Sequence, residues 1–302
     1  MITIGSRGSQ LALWQAHWVE AKLTELGAEC RIEIIKTTGD KIQDVPLAKV
    51  GSKGLFTKEI EEALLVGAVD VAVHSLKDMP TDLPDDLILQ AIPEREDVRD
   101  ALIGRRLADL PQGAKVGTSS LRRAAQLRAA RPDLVIESIR GNLDTRLRKL
   151  DEGQYDSIVL AAAGLRRLGW ADRITELMSV ETICPAVGQG ALAIETRDDE
   201  SESSVLVRKL EHTASRQAVV AERQLLRAMG GGCQVPIGAY ATIDGDRLHL
   251  RAIVISPDGA TIVKGECNGA ANNGATLGHE LAMELLNRGG REILQDVYGT
   301  EK

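Results

Sequence analysis

Over the first half of the chain, short apolar runs alternate with amphipathic segments of helix length, the pattern of a parallel α/β architecture. Strands are predicted at MITIG (1–5), CRIEIIK (30–36), VDVAVHS (69–75), AKVG (114–117), LVIESI (134–139) and SIVLAA (157–162), with helices after most of them. In QLALWQAHWVEAKLTELG the spacing puts Leu11, Trp14, Trp18 and Leu26 near one face, and KEIEEALLVGA does the same with Ile60, Leu64 and Leu65. Both segments run into a glycine, a common helix stop. Beyond about residue 213 the pattern changes to a helix (RQAVVAERQLLRAM), three strand-like runs punctuated by IDGD and SPDG, and a helix from about Leu277 to Leu294. Asp-Gly between alternating runs signals a hairpin, so residues 213–302 read as a separate α+β domain with an antiparallel sheet.

A length of 302 residues allows two or three domains. With 43% hydrophobic and 27% charged residues, the composition is that of a globular protein and argues against disorder. The start MITIGSRGSQ lacks a basic segment followed by an apolar one, and no window approaches the roughly 18 apolar residues of a membrane span. A cytoplasmic protein is expected. Cysteines at 30, 184, 233 and 267 form no CxxC pair and have no histidine at metal-ligand spacing, which excludes zinc, iron–sulfur and thioredoxin-like readings. No metal site is expected. A formal net charge of −7 argues against general nucleic-acid binding, where affinity rests on phosphate neutralisation.

Each predicted strand is followed by polar residues: Ser6-Arg7-Gly8-Ser9, Thr37-Thr38-Gly39-Asp40, Ser75-Leu76-Lys77-Asp78, Thr118 to Arg123, Arg140-Gly141-Asn142, and Gly164 to Arg167. Ligands of open parallel sheets bind at the carboxyl ends of the strands. A helix start already carries positive dipole, so Arg122 and Arg123 there are locally unfavourable unless an anion shares the site. Arg140 and Arg146 flank a helix whose Leu143, Leu147 and Leu150 form its apolar stripe. No Walker sequence is present and GSKGLF lacks the spacing of a phosphate loop, which favours a small polyanion over a nucleotide. Taken singly, each pair of arginines reads as a solvated face and Asp78 as a turn residue before Pro80; the succession of polar strand ends shifts the balance towards a site. His74 reads as structural. Phe56, the chain's one phenylalanine, follows the loop Gly51 to Leu55. Lone cysteines are usually buried and inert, the reading for Cys30, Cys184 and Cys267. Cys233 differs because Gly230, Gly231 and Gly232 allow close approach by a bulky group.

The run Glu222-Arg223, Leu225, Met229, Gly231-Gly232-Cys233, Val235-Pro236-Ile237-Gly238 resembles the cofactor-attachment signature of the porphobilinogen deaminase (hydroxymethylbilane synthase) family. IGSRGSQLALWQA, PLAKVGSKGLFTKEIEEAL, VHSLKDMPT, VGTSSLRR, IRGNLDTR and PAVGQGALAIE are similar to that family's segments, in its order, over essentially the whole chain. GSKG stands where the family more usually has GGKG, and Cys184 is not one of its hallmarks.

The resemblance implies an α/β fold of two periplasmic-binding-protein-like domains with a cleft, plus a smaller C-terminal α+β domain. The corresponding boundaries are 1–94 with 191–212, 95–190, and 213–302. It implies a dipyrromethane cofactor in thioether linkage to Cys233, which primes the addition of four porphobilinogen molecules with loss of ammonia before water releases linear hydroxymethylbilane. It makes Asp78 the catalytic carboxylate and gives the cofactor's carboxylates to Arg122 and Arg123, beside Ser120 and Lys77. Arg7, Ser9, Arg140, Arg146, Arg167 and Gln189 match positions facing substrate or the growing chain, and Lys53 and Phe56 a mobile loop covering the site. It further implies a monomer with no nucleic-acid or membrane partner, whose product passes to uroporphyrinogen-III synthase. Arg123→Leu is expected to leave the fold intact while preventing cofactor assembly. The competing class is a non-catalytic anion-binding protein of the periplasmic type; a transcription regulator would need a helix-turn-helix and a basic surface, neither of which is evident.

Overall fold

The computed structural model describes residues 1–41, 54–231 and 235–299. The chain forms two compact units, residues 1–96 with 190–216 and residues 97–189 with 217–302.

The first unit is built on a five-stranded mixed sheet. Its strands are β1 (Ile2–Ser6), β2 (Cys30–Ile34), β3 (Val71–Ser75), β4 (Leu87–Ala91) and, after the chain's return, β10 (Leu192–Arg197). In space they run β2-β1-β3-β10-β4. β1 lies parallel to β2 and β3, whereas β10 is antiparallel to both β3 and β4. β1 is buried at every position and β3 at four of five, which is why they read as continuous apolar runs rather than alternating ones.

The helix Gln10–Glu25 covers this sheet, but with a different face from the one the large residues suggest. Ala12, Gln15, Ala16, Val19 and Leu23 are buried, while Trp14 and Trp18 are only half-buried and Leu26 is 39% exposed. The small alanines allow close packing of the helix on the strands; the wider tryptophans flank the contact. In the helix Lys58–Leu65, Ile60 and Leu64 are buried as expected and Leu65 is exposed. Gly27 (φ 90°) and Gly67 (φ 72°) follow the two helices in the left-handed conformation that glycine adopts without penalty.

The second unit contains β5 (Asp100–Ile103), β6 (Lys115–Gly117), β7 (Val135–Glu137), β8 (Ser157–Ala161) and β9 (Glu176–Leu177), in the order β7-β6-β8-β5-β9. β6 is parallel to β7 and β8, and β5 is antiparallel to β8 and β9. Each mixed sheet thus has one inserted antiparallel strand, β10 or β5, and in each case it is the first strand after the chain enters that unit. The six predicted strands all form; β4, β5, β9 and β10 do not stand out in the apolar pattern.

The same unit contains a three-stranded antiparallel meander, β11 (Ile237–Asp244), β12 (Arg247–Ile255) and β13 (Ile262–Ala270). Its hairpins fall at IDGD and SPDG, with Asp244 opposite Arg247 and Ile255 opposite Ile262. The expected last helix is two: Gly274–Leu285 and Arg291–Gly299, separated by a turn in which Gly289 adopts φ 108°. Apolar spacing continues across Arg288-Gly289 although helical φ/ψ values do not, so the apolar pattern hides the break. Among the described residues, no helix is long and apolar enough to cross a membrane.

Candidate functional site

In the first unit, the carboxyl ends of β1 and β3 border one pocket lined by Arg7, Ser9, Gln15, Phe56, Thr57, His74, Ser75 and Asp78. Ser9 is the N-cap of the helix Gln10–Glu25, its hydroxyl accepting from the Ala12 amide at 3.3 Å; capping uses a lone pair and leaves its O–H to donate. Gln15 donates to the Ser75 hydroxyl at 2.9 Å, tying the helix to the strand end. Asp78 closes the single turn Leu76–Asp78 directly after β3 and is exposed. Among the described residues its carboxylate makes no hydrogen bond or ion pair. Lys77 is adjacent and half-buried, but it is not part of the pocket wall.

Arg7 is held from two sides. Its Nε donates to Asp40 Oδ1 at 3.1 Å, and its guanidinium carbon lies 4.2 Å from the centre of the Phe56 ring, within cation–π range. Burial alone would raise the Asp40 carboxyl, but hydrogen bonds from Arg7 and Thr37 outweigh it and hold the group below the usual carboxylate range. Gly39 makes the arrangement sterically feasible: a Cβ there would sit 2.2 Å from the Phe56 ring and 2.8 Å from the Leu55 carbonyl oxygen. We expect Gly39→Ala to displace Phe56 from Arg7 and to cost about 1–3 kcal/mol, the range for overpacking; thermal unfolding of variant against wild type checks it. His74 Nε2 is engaged with the buried Glu195 carboxylate at 3.1 Å, in keeping with a structural role.

In the second unit, the helix Leu121–Ala130 starts at Ser120, whose hydroxyl accepts from the Arg123 amide at 3.4 Å. Arg122 (4% exposed) and Arg123 (6%) turn inward onto Asp100 (0%), the first residue of β5. Arg122 Nη1 donates to Asp100 Oδ2 at 2.8 Å. Arg123 donates to Oδ1 through Nε at 2.9 Å and Nη2 at 2.6 Å, and to the Val159 carbonyl at 3.2 Å. Gln189 is buried in the same cluster, its Nε2 donating to Asp100 Oδ1 at 2.9 Å and to the Val98 carbonyl at 2.7 Å. Complete burial would raise the Asp100 carboxyl, but Arg122 and then Arg123 overcome it and hold the group far below the usual range.

Arg140 and Arg146 lie around the start of the helix Leu143–Asp151. Leu147 of this helix is buried, with Leu143 and Leu150 packed beside it. Arg146 Nε donates to the Gly141 carbonyl at 2.8 Å. Arg140 Nη1 is buried and makes no hydrogen bond among the described residues. Arg167 ends the helix Ala162–Arg167 after β8 and is half-buried. Cys184 is buried, and desolvation pushes its thiol up to about 12, as expected of an inert packing residue. Lys53 and Cys233 lie outside the described residues. Among the described residues, no group of three or more His, Cys, Asp or Glu could hold a metal ion.

Pattern reading missed Asp100, Gln126 and the partnership of Asp40 with Arg7. Gln126 accepts from the Cys184 amide at 2.7 Å and donates to the Cys184 carbonyl at 3.2 Å, which fixes that loop beside Arg122. Asp100 sits at the end of the charged stretch EREDVRD, where one carboxylate does not stand out. Its one sequence signal is its place directly before the apolar run Ala101-Leu102-Ile103.

Two family models cover most of the chain. "Porphobilinogen deaminase, dipyromethane cofactor binding domain" matches residues 2–204, and "Porphobilinogen deaminase, C-terminal domain" matches residues 216–287. A protein of Geotalea uraniireducens named porphobilinogen deaminase is 52% identical over 304 aligned positions, covering 99% of this chain and 96% of that protein. One of the same name from Desulforamulus reducens is 50% identical, covering 99% of each. Among solved structures, a periplasmic substrate-binding protein of an ABC transporter from Coxiella burnetii aligns with a TM-score of 0.43 at 14% identity, over 74% of this chain and 96% of that one. The chain belongs to the porphobilinogen deaminase family.

Proposed function

We propose that this protein is a transferase that deaminates and condenses four porphobilinogen molecules head to tail on a covalent dipyrromethane primer at Cys233, then hydrolyses off linear hydroxymethylbilane. Membership of the porphobilinogen deaminase family over essentially the full length carries this reading.

The residues present fit a poly-carboxylate group. Each pyrrole unit carries an acetate and a propionate, and charge-assisted hydrogen bonds to such groups contribute about 1.5–3 kcal/mol each. The guanidinium groups of Arg122 and Arg123, and Arg140 Nη1, which makes no hydrogen bond among the described residues, are the donor chemistry such a ligand requires. When bound, dipyrromethane supplies the terminal pyrrole carbon to which the first substrate unit is joined. Arg122, Arg123, Ser120 and Lys77 hold its carboxylates. Arg7, Ser9, Arg140, Arg146, Arg167 and Gln189 orient substrate and the growing chain, and Lys53 and Phe56 take the role of the covering loop that the family resemblance implies. Asp78 works as the catalytic group: its exposed carboxylate is open to a pyrrole nitrogen, where it stabilises the positive charge that develops as ammonia leaves and accepts a proton afterwards.

The working protein is read as three domains, 1–94 with 191–212, 95–190 and 213–302. It acts as a cytoplasmic monomer, and its product passes to a uroporphyrinogen-III synthase; family membership supports both statements. Intact mass of the denatured protein tests the whole reading. Wild type supplied with porphobilinogen should gain the mass of at least two substituted pyrroles, wild type supplied with preformed hydroxymethylbilane that of its four pyrroles less one water, and Cys233→Ser should gain nothing. An unmodified wild type after both additions would overturn the reading.

A further inference from the structure

We propose that Glu61 is kept as the neutral acid beneath the helix Lys58–Leu65 and, in that form, positions Thr57 and His74 in the wall of the pocket; the consequence for substrate rests on the functional reading above. In the first unit's sheet, Ala72 lies opposite Gly5 and Glu195, and His74 opposite Ala193, so these residues share one face. The helix covers that face with Ile60 and Leu64, which cluster with Val69, Ala72 and Leu87. Three titratable side chains are buried in this apolar layer: Glu195 (0% exposed), His74 (6%) and Glu61 (7%). His74 Nε2 meets Glu195 Oε2 at 3.1 Å. Glu195 Oε1 and Glu61 Oε1 are buried without a hydrogen bond among the described residues.

A buried histidine paired with one glutamate is complete in itself, and Glu61 adds a second carboxyl to the same layer. Ionised, it would bury an anionic oxygen without a donor, within electrostatic reach of another carboxylate, and desolvation and like charge both oppose that. The neutral acid sheds the charge and turns one of its oxygens into a donor, in a place where two buried acceptor oxygens have none. Burial first, then Glu195 and Glu62, push the Glu61 carboxyl above its usual range, against the lowering by the nearby Thr57 hydroxyl and by His74. On the same side β1 contributes Gly5 and β4 contributes Leu87. Arg197 of β10 is engaged at the far end of the helix, with the Leu64 and Val69 carbonyls and with Asp70 and Asp199. The link to the pocket is short. The Glu61 amide donates to the Thr57 carbonyl at 2.8 Å, which sets Glu61 one turn behind Thr57, and Thr57 and His74 line the pocket with Arg7, Ser9 and Asp78. Ionisation of Glu61 would push the first turn of the helix away from Glu195 and carry Thr57 with it.

Glu61→Gln replaces the acid by an uncharged group of the same shape, and three measurements on the purified, primer-loaded protein test the proposal. At neutral pH the infrared carbonyl band of a protonated carboxyl should be present in the wild type and missing from the variant. A group whose folded value is raised holds its proton more tightly in the folded protein, so wild-type stability should fall relative to Glu61→Gln as pH rises from the ordinary glutamate value through the raised one; urea midpoints follow this. Above the point at which Glu61 ionises, the wild-type KM for porphobilinogen should rise relative to the variant's by up to about tenfold per pH unit, the limit when binding requires one held proton. If Glu61→Gln does not fold, Glu61→Met, also uncharged, takes its place. Identical carbonyl bands, or a stability difference that does not change with pH, would mean an ionised or purely structural Glu61 and would overturn the proposal. A KM ratio constant with pH would remove the positioning role. Wild type without turnover would sink the functional reading and with it the consequence for substrate, while the infrared and urea measurements would still decide the state of Glu61.

Discussion

Asp78→Asn should lower the rate of hydroxymethylbilane formation by about 10²–10⁴-fold, the usual contribution of a positioned acid–base group, while leaving the protein folded. The structure separates the two effects cleanly. Asp78 is exposed at the end of a short turn, and its carboxylate makes no hydrogen bond or ion pair among the described residues. The amide is isosteric, so stability should change by no more than about 0.5 kcal/mol, as for other surface substitutions. What is lost is negative charge facing the pocket shared with Arg7 and Ser9. Steady-state turnover measured beside thermal unfolding and substrate retention checks this. A non-catalytic anion-binding protein would have no turnover to lose, and unchanged turnover in the variant would remove Asp78 from the mechanism.

Arg123→Leu should abolish primer assembly and also destabilise the fold, through loss of charge-assisted hydrogen bonds that contribute about 1.5–3 kcal/mol each. Reading of the sequence alone led to the expectation of an intact fold; the burial of Asp100 changes it. Leucine removes three donors, two to Asp100 and one to the Val159 carbonyl. The carboxylate is left with Arg122 and Gln189. The pH dependence follows in sign. In the wild type the Asp100 carboxyl is depressed, so its contribution to stability is present above the carboxylate's unfolded value and is lost only as pH falls through the much lower folded value. Without Arg123 the folded value moves back up. The contribution shrinks, and the midpoint of acid unfolding shifts to higher pH. Acid titration followed by circular dichroism, beside the intact mass of protein supplied with hydroxymethylbilane, measures both effects. Fully loaded Arg123→Leu protein with a wild-type acid midpoint would contradict them.

The legible part of this protein is local. Apolar runs marked β1, β2, β3, β6, β7 and β8: β1, β3 and β8 are buried at nearly every position, whereas the edge strands β2 and β7 have no fully buried residue and stood out by their β-branched residues. Asp-Gly marked the hairpins, because their φ values select residue type. The strand-end positions of Arg7, Ser9, Asp78, Arg122 and Arg123 followed once the strands were placed. The helix Gln10–Glu25 shows where such reading fails: its tryptophans dominated the pattern, yet Ala12 and Ala16 face the sheet, since small side chains carry little hydrophobic signal and permit the closest packing.

By itself, then, the sequence determined six strands of the two mixed sheets and the C-terminal hairpins, the family and the residue types that carry the chemistry. Only the tertiary structure decided which of them share an environment. β5 and β10 run antiparallel within their sheets, and each is the first strand after the chain enters its unit, a fact of connection rather than of composition. Asp100 meets Arg122 across 22 positions and Gln189 across 89, and Arg7 meets Asp40 across 33. Periodicity records how often a side chain points inward; it carries no information about which distant charge waits there. That pairing is set by chain crossing and burial together, and burial turns an ordinary aspartate in a charged stretch into the group that holds two arginines.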